Sequence, residues 1–185
     1  MRSSKPAEMK KAFRVISRRR AFKGHAIRLD VLQIQTRSGH RVERELIQHN
    51  GAVVIIPKLP GRKLLLVKQL RVAVGKEIWE FPAGTLERGE SPLECAKREL
   101  QEETLWKAMK WRKILTFFPT PGISTEKMFL FEAENLQRSH AHQPDWDEEI
   151  EVRIFSYPQI KRMIRRGAII DGKTILGFLL IQEKR

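Results

Sequence analysis

Three glutamates lie close together in RELQEET, the stretch that covers residues 98–104. Glu99, Glu102 and Glu103 are spaced i, i+3 and i+4, so a helix brings all three to one face. Like charges at this spacing repel each other by about 0.2–0.5 kcal/mol per pair. A divalent cation, which prefers oxygen ligands, would compensate these charges. The alternative from the pattern alone is a solvated acidic face that pairs with nearby lysine and arginine side chains.

The residues around the glutamates predict the helix that carries them. Ser91 is the expected N-cap, Pro92 follows at the first helical position, and Glu94 completes an S-x-x-E capping box. The helix is expected to run to about Leu105. One side carries apolar residues for the core, and the carboxylates lie about 90° away around the helix axis.

A longer motif includes this helix and the loop before it. From Gly84 to Trp106 the chain reads GTLERGESPLECAKRELQEETLW. This stretch resembles the Nudix box, in which a glycine, a glutamate and an Arg-Glu-apolar-x-Glu-Glu run stand at fixed spacing. Seven positions agree in register: Gly84, Glu90, Arg98, Glu99, Leu100, Glu102 and Glu103.

The resemblance implies an α/β fold, the Nudix fold, in which a mixed β-sheet is sandwiched between helices. It also implies a hydrolase that uses Mg²⁺ or Mn²⁺ to cleave a nucleoside diphosphate linked to another group. Glu99 and Glu103 correspond to the family's main metal ligands, and the carbonyl of Ala83 is a further ligand. Glu102 corresponds to a ligand or to a group that orients the attacking water, so it is also a catalytic candidate.

Three residues of the box have a structural role by the same resemblance. Gly84 and Glu90 belong to the loop before the helix. Arg98 is expected to hold the helix to this loop by pairing with Glu90, without contacting substrate. Leu105 stands where the family usually has a glycine that ends the helix, so a slightly longer helix is expected here.

Residues outside the box resemble the ADP-ribose pyrophosphatase group of this family. The run QLRVAVGKEIWEFPAGTLERGE (69–90) resembles the group's Gln-x-Arg…Glu-x-Pro-Ala-Gly pattern, and residues 119–126 resemble its proline loop. Arg71 is accordingly expected to bind phosphate, because a planar guanidinium suits that geometry; a surface salt bridge is the alternative. Glu80 is expected to hold substrate or a buried arginine, and Pro121 to contact substrate.

Two further segments resemble the same group. Residues 147–152, DEEIEV, resemble an acidic loop that precedes a strand. Glu148 is expected to be a further metal ligand or the carboxylate that activates water, and Glu149 is the other catalytic candidate. Residues 171–174, DGKT, match a recurring C-terminal element.

In this group a small N-terminal sheet mediates dimerisation and helps to enclose the adenine, so a homodimer is expected. Phe22, Arg44 and Trp106 are the candidates for stacking on adenine, and the sequence leaves the choice among them open. His140 and His142 stand two residues apart in a polar loop without a third ligand. They are expected to bind no metal.

The hydrophobic pattern predicts the elements that position these residues. Residues 1–11 are expected to be a disordered basic tip, 12–50 an N-terminal antiparallel β-sheet subdomain, and 51–185 the Nudix hydrolase domain. Strands are expected at 13–18, 26–36, 41–49, 52–57, 63–71, 79–81, 127–133 and 150–155. Besides the helix that begins at Pro92, helices are expected at 157–166 and 171–182.

Charge is unevenly distributed along the 185-residue chain, whose net charge is +14. Residues 1–62 carry 15 Lys/Arg against 4 Asp/Glu, whereas residues 77–106 carry 3 against 8. An acidic patch in a basic protein gathers cations, and its surroundings steer anionic substrates towards it. The single cysteine, Cys95, fits a reducing compartment. No apolar run is long enough to span a membrane, and the first residues lack a signal-peptide core, so a cytoplasmic enzyme without membrane contact is expected.

The preferred activity is Mg²⁺-dependent hydrolysis of ADP-ribose to AMP and ribose 5-phosphate. The box does not distinguish this substrate from GDP-mannose or another nucleoside diphosphate sugar. A different class would be an RNA-directed Nudix hydrolase or an RNA-binding protein, because the basic N-terminal segment would bind phosphates irrespective of sequence. Intact box glutamates and a lack of interleaved aromatic residues weigh against a purely binding role. Nucleic acid is therefore not the favoured partner.

Overall fold

The computed structural model describes residues 13–24, 27–139 and 150–182 of the chain. The chain folds into two compact units. The first comprises the described residues up to His49 together with Thr120–Thr125, and the second comprises Asn50–Pro119 and the described residues from Glu126 onwards. The division therefore lies next to the predicted border at residue 50, whereas the place of Thr120–Thr125 in the first unit was not predicted.

The first unit contains a three-stranded antiparallel sheet in the order β1-β2-β3. Its strands are β1 (Phe13–Lys23), β2 (Arg28–Thr36) and β3 (Arg41–Gln48). This confirms the small N-terminal sheet. Strand β1 is longer than predicted because Arg18 and Arg20 both pair with Asp30 on β2, which extends the ladder through a run of charged residues.

The second unit is built on a seven-stranded mixed sheet. Its main strand order is β10-β5-β4-β9-β8, with β6 paired to β5 and β7 paired to β4. The strands are β4 (Ala52–Leu59), β5 (Lys63–Arg71), β6 (Lys76–Glu80), β7 (Ala83–Thr85), β8 (Trp106–Phe117), β9 (Met128–Arg138) and β10 (Glu151–Ser156). The helices are α1 (Pro92–Thr104), α2 (Tyr157–Arg165) and α3 (Gly172–Gln182).

Strand β4 shows how the core is divided into two layers. Successive side chains of a strand point to opposite faces of the sheet. Val53 and Ile55 pack in one cluster with Leu100 of α1, whereas Ile56 packs in the other cluster with Phe178 of α3. Both faces of the strand are buried, as its continuous apolar run suggests. The sheet thus lies between helices, which confirms the predicted α/β architecture.

Strand β8 was not predicted, and β9 extends beyond the predicted end at residue 133. The two strands pair antiparallel along most of their length. Lys110 on β8 contacts Glu134 on β9 at 2.8 Å, and Arg112 pairs with the buried Glu132. Opposite charges that face each other across strands stabilise a ladder. These charged residues hide the apolar alternation by which a strand is recognised.

No helix within the described residues is long and apolar enough to cross a membrane.

Candidate active site

Helix α1 carries the three box glutamates, and its start follows the predicted cap. The Ser91 hydroxyl accepts from the Glu94 N–H at 3.3 Å, and the Glu94 carboxylate accepts from the Ser91 N–H at 3.0 Å. The expectation of a longer helix was wrong. The helix ends at Thr104, and Leu105 itself adopts the left-handed conformation with φ 58° and ψ 29°. A residue with a Cβ gives up about 1–2 kcal/mol in that conformation, which the surrounding packing must offset.

The carboxyl group of Glu99 lies directly against the backbone of Gly84 in β7. A Cβ atom added at Gly84 would lie 1.8 Å from both Cδ and Oε1 of Glu99. A side chain at position 84 would occupy the place of the Glu99 carboxyl group, which would have to move away. The glycine of the box therefore allows the Glu99 carboxyl group to lie against strand β7.

Replacing Gly84 with alanine is expected to reduce hydrolysis about 100-fold. The added methyl group must displace Glu99, and a misplacement of about 1 Å at a reacting centre can reduce the rate by that factor. Turnover and thermal unfolding should be measured side by side. Gly172→Ala is the matched control, because a Cβ at Gly172 meets nothing within 4 Å. Full activity of Gly84→Ala would show that the position of Glu99 is not needed.

Glu103, one helical turn further along, is more deeply buried, with only 8% of its surface exposed. Its carboxylate accepts from the backbone N–H of Ala83 at 3.1 Å and from the side-chain amide of Gln69 at 3.3 Å. These bonds connect α1 to β7 and β5. Ala83 is thus beside the carboxylate, although the resemblance gives the role of ligand to its carbonyl.

The electrostatics of this pair favour a cation. Burial raises the pKa of Glu99 to about 7. Burial, and after it the nearby charge of Glu99, raise the pKa of Glu103 to about 8. At Glu99 the effect of burial outweighs the opposing effect of the Arg98 guanidinium that contacts it. The carboxylate oxygens of Glu99 and Glu103 are the type of ligand that a hard divalent cation such as Mg²⁺ prefers.

Arg98 is the centre of an ion-pair cluster at the outer side of this site. Its guanidinium contacts both carboxylate oxygens of Glu90, at 2.9 and 3.1 Å, so the expected Arg98–Glu90 pair is present. The hydrogen bond from Arg98 lowers the pKa of Glu90 to about 2. The same guanidinium contacts Glu99 and Glu102, each at 2.8 Å.

The predicted ligands are therefore only partly assembled. Glu99 and Glu103 lie against Gly84 and Ala83 of strand β7, while Glu102 is paired with Arg98. Within residues 13–24, 27–139 and 150–182, no three histidine, cysteine or acidic side chains are arranged to hold a metal ion. Glu148 and Glu149, with His140 and His142, lie outside the described residues.

A second charged network surrounds Glu80, which is completely buried. Its carboxylate accepts from Arg71 Nε at 2.6 Å and also pairs with Lys173. Lys173 contacts Asp171 at 2.9 Å, and Asp171 accepts from both the N–H and the hydroxyl of Thr174. The element at 171–174 thus positions a lysine beside Glu80. Glu80 thus contacts an arginine, although the Arg71 side chain is 37% exposed rather than buried.

Sequence reasoning missed Lys173 and Gln69 as members of the site. Each does have a signal in the sequence, since Lys173 belongs to the DGKT match and Gln69 to the Gln-x-Arg pattern before the box. Neither signal says which carboxylate the side chain contacts. Lys173 pairs with Glu80 and Gln69 bonds to Glu103, and only the folded chain brings these residues together.

The remaining candidates lie in different places. Pro121 belongs to the first unit, as do Phe22 and Arg44, both of which have exposed side chains. Trp106 lies in the second unit, where the Arg138 guanidinium stands 4.5 Å from its ring centroid. This pair forms one wall of a cavity of about 340 Å³ that Glu103 also lines.

The fold and the carboxylate helix define a Nudix domain. Residues 48–176 match the family described as the NUDIX domain, and the chain belongs to this family. It is therefore a hydrolase of the class that acts on pyrophosphate bonds.

Named relatives extend this comparison. The chain is 33% identical over 172 residues to an ADP-ribose pyrophosphatase of Bacillus subtilis. The alignment covers 92% of this chain and 93% of that protein. It is 34% identical over 152 residues to a GDP-mannose pyrophosphatase of Escherichia coli. That alignment covers 74% of this chain and 79% of the relative. The crystal structure of an ADP compounds hydrolase aligns with this chain with a TM-score of 0.84 at 19% identity, and the alignment covers 94% of each chain. At that identity, the likeness to the solved structure concerns the fold.

Proposed function

We propose that this protein hydrolyses ADP-ribose to AMP and ribose 5-phosphate with Mg²⁺ as its cofactor. The observation that carries the proposal is the pair of carboxyl groups of Glu99 and Glu103, which lie against Gly84 and Ala83 of β7, are mostly buried and have raised pKa values. The similarity to the Bacillus subtilis ADP-ribose pyrophosphatase over almost the whole chain supports the choice of substrate.

In this proposal Glu99, Glu103 and the carbonyl of Ala83 hold the metal. A divalent cation in such a site neutralises the pyrophosphate and lowers the pKa of bound water. Glu102 is the further ligand or water-orienting group, and it must exchange its contact with Arg98 to act in that role. Either Glu148 or Glu149 is the base that accepts the proton of the attacking water.

The positive groups beside the carboxylates are assigned to substrate binding. Arg71 is held by Glu80 through Nε, so its orientation is set before substrate arrives, and its side chain remains 37% exposed. A pre-oriented guanidinium binds phosphate with little loss of side-chain entropy. Lys173 contributes a second positive charge. Pro121 is proposed to contact substrate as well.

The N-terminal sheet is proposed to form a homodimer and to help enclose the adenine. This part of the proposal rests on the family resemblance. Light scattering of the full chain, compared with a chain that begins at residue 50, would test it. A monomer in both cases would refute the dimer.

GDP-mannose is the second candidate substrate, and the Escherichia coli relative favours it. The substrate assay should therefore compare ADP-ribose, GDP-mannose, ADP-glucose, NADH and capped RNA, with Mg²⁺, with Mn²⁺ and with EDTA. ADP-ribose is expected to give the highest kcat/KM, and EDTA is expected to abolish turnover. A different leading substrate would refute the substrate assignment but leave the metal site standing. Full activity in EDTA would refute the metal site.

A further inference from the structure

Helix α2 presents a basic face that plays no part in the site described above. The outward residues are Lys161, Arg162, Arg165 and Arg166, where Arg166 directly follows the helix, and all four are exposed. Lys161 and Arg165 are spaced i, i+4, as are Arg162 and Arg166, so the cations form two neighbouring rows. Within the described part of the chain, none of these four residues pairs with a carboxylate.

A concave pocket continues this basic face at the N-terminal end of the helix. The pocket has a volume of about 640 Å³, and its lining includes Arg62, Tyr157, Lys161 and Gln182. The Arg62 guanidinium lies 5.0 Å from the centroid of the Tyr157 ring. No acidic side chain of the described residues lines the pocket. The pocket and the helix face therefore share Lys161 and form one continuous positive strip.

The strip is remote from the carboxylate helix. Arg62 precedes β5, whereas Gln69 and Arg71, which contact Glu103 and Glu80, lie near its other end. A strand rises by about 3.3 Å per residue, so Lys63, which follows Arg62 and begins β5, lies about 20 Å from Gln69 along the strand. The strip is thus a separate surface rather than an extension of the active site.

The chemistry of the strip matches a single-stranded nucleic acid. Nine helical residues span about 14 Å, a length over which a single strand presents a short run of phosphates to the cations of the helix. Single-strand binding surfaces combine a positive track with aromatic or guanidinium faces on which bases stack. The Tyr157 ring packs against Phe178 and lies beneath the Arg62 guanidinium, so the exposed guanidinium of Arg62 provides such a face next to the track.

A membrane surface is the less suitable partner. An interfacial helix inserts its apolar face into the lipid. The apolar face of α2 is already used, because Ile160 is completely buried and Met163 and Ile164 pack against the core. The geometry points to α2 and its adjoining pocket as a binding surface for the sugar–phosphate backbone of single-stranded nucleic acid.

The test uses the full chain and a 12-nucleotide oligouridine with a 3′ fluorescein and a 5′ hydroxyl, which offers no pyrophosphate to the active site. Fluorescence anisotropy is measured in KCl from 50 to 200 mM. Each lost phosphate contact reduces the salt slope for single strands by about 0.7. Lys161→Gln/Arg165→Gln is therefore expected to reduce the slope by about 1.4 and the affinity at least tenfold.

The matched control is Lys107→Gln/Lys113→Gln, which changes the charge equally at exposed positions of β8. This control is expected to change the affinity less than twofold, and the α2 variant is expected to keep the ADP-ribose hydrolysis and melting temperature of the wild type. Equal loss in both variants would overturn the proposal, because net charge alone would then explain binding. No loss in the α2 variant would also overturn it. Tighter binding to phosphatidylserine vesicles through the same two residues would replace it with a membrane surface.

Discussion

Replacing Glu103 with glutamine is expected to reduce hydrolysis at least 10³-fold and, in EDTA, to make the protein more stable at pH 8. Glu103 is buried beside Glu99, and burial raises its pKa to about 8 from an ordinary value of 4.5. Loss of a ligand charge weakens binding of the cation that neutralises the pyrophosphate. Removal of one electrostatic group of this kind lowers the rate by about 10²–10³-fold or more.

The gain in stability follows from the direction in which folding moves this pKa. A carboxyl group whose pKa is raised by folding makes its full contribution to the free energy of unfolding below the unfolded pKa of 4.5. This contribution is lost as the pH rises through the folded pKa of about 8. A tenfold change in a proton-binding constant corresponds to about 1.4 kcal/mol, so the ionised Glu103 destabilises the metal-free protein by roughly 3–5 kcal/mol at high pH.

Glutamine removes this penalty but loses part of the hydrogen bonding. The wild-type carboxylate accepts from Ala83 N–H and from Gln69, whereas an amide has only one acceptor oxygen. The lost bond costs about 1–2 kcal/mol. A net gain of about 2 kcal/mol therefore remains above pH 8, and it should fade towards pH 5.

Thermal unfolding in EDTA between pH 5 and 9 measures this difference. Glu87→Gln, at an exposed position in the loop before the helix, is the matched control and should follow the wild type. Adding Mg²⁺ should stabilise the wild type by about 2.7 kcal/mol at 100 times the dissociation constant, but not Glu103→Gln. A variant that is less stable than the wild type at every pH would contradict the raised pKa, and equal Mg²⁺ stabilisation of both would contradict the ligand role.

The site divides into parts that the sequence predicts and parts that it does not. The helix, its cap and the Arg98–Glu90 pair could be predicted, because they depend on residues within one short segment of fixed spacing. The Lys173–Glu80 pair joins residues 93 positions apart, and its existence depends on how α3 packs against the sheet. No local pattern contains that information.

The end of helix α1 shows a different kind of limit. Leu105 has a poor intrinsic preference for the left-handed conformation, so local reasoning favoured a longer helix. In the structure the next residue, Trp106, already begins β8 and pairs with Arg138. The ladder between β8 and β9 leaves no room for another helical turn, and tertiary structure therefore overrides the local preference. Strand β8 itself was missed, so this constraint was hidden from the sequence.

Replacing Glu80 with glutamine is expected to destabilise the protein by about 3–5 kcal/mol, because removing one partner from a buried ion pair leaves the other charges uncompensated. Glu80 is completely buried between Arg71 and Lys173, and the Lys173 side chain is only 13% exposed. For a chain of this length, the melting temperature should fall by roughly 10 °C.

Glu77→Gln is the control on the same strand, because Glu77 pairs with Lys68 at 3.1 Å while its side chain is 52% exposed. Such a pair contributes less than about 1 kcal/mol.

A double variant separates stability from substrate binding. Lys173→Met in the Glu80→Gln background removes the buried charge that loses its partner, whereas the partly exposed Arg71 side chain can reach water. Replacing a buried pair by uncharged groups is often neutral for stability, so the double variant should recover at least half of the lost melting temperature. Hydrolysis should not recover, because Lys173 and a pre-oriented Arg71 are both assigned to the phosphates. Recovery of both properties together would mean that this network only supports the fold, and that the phosphates are bound elsewhere.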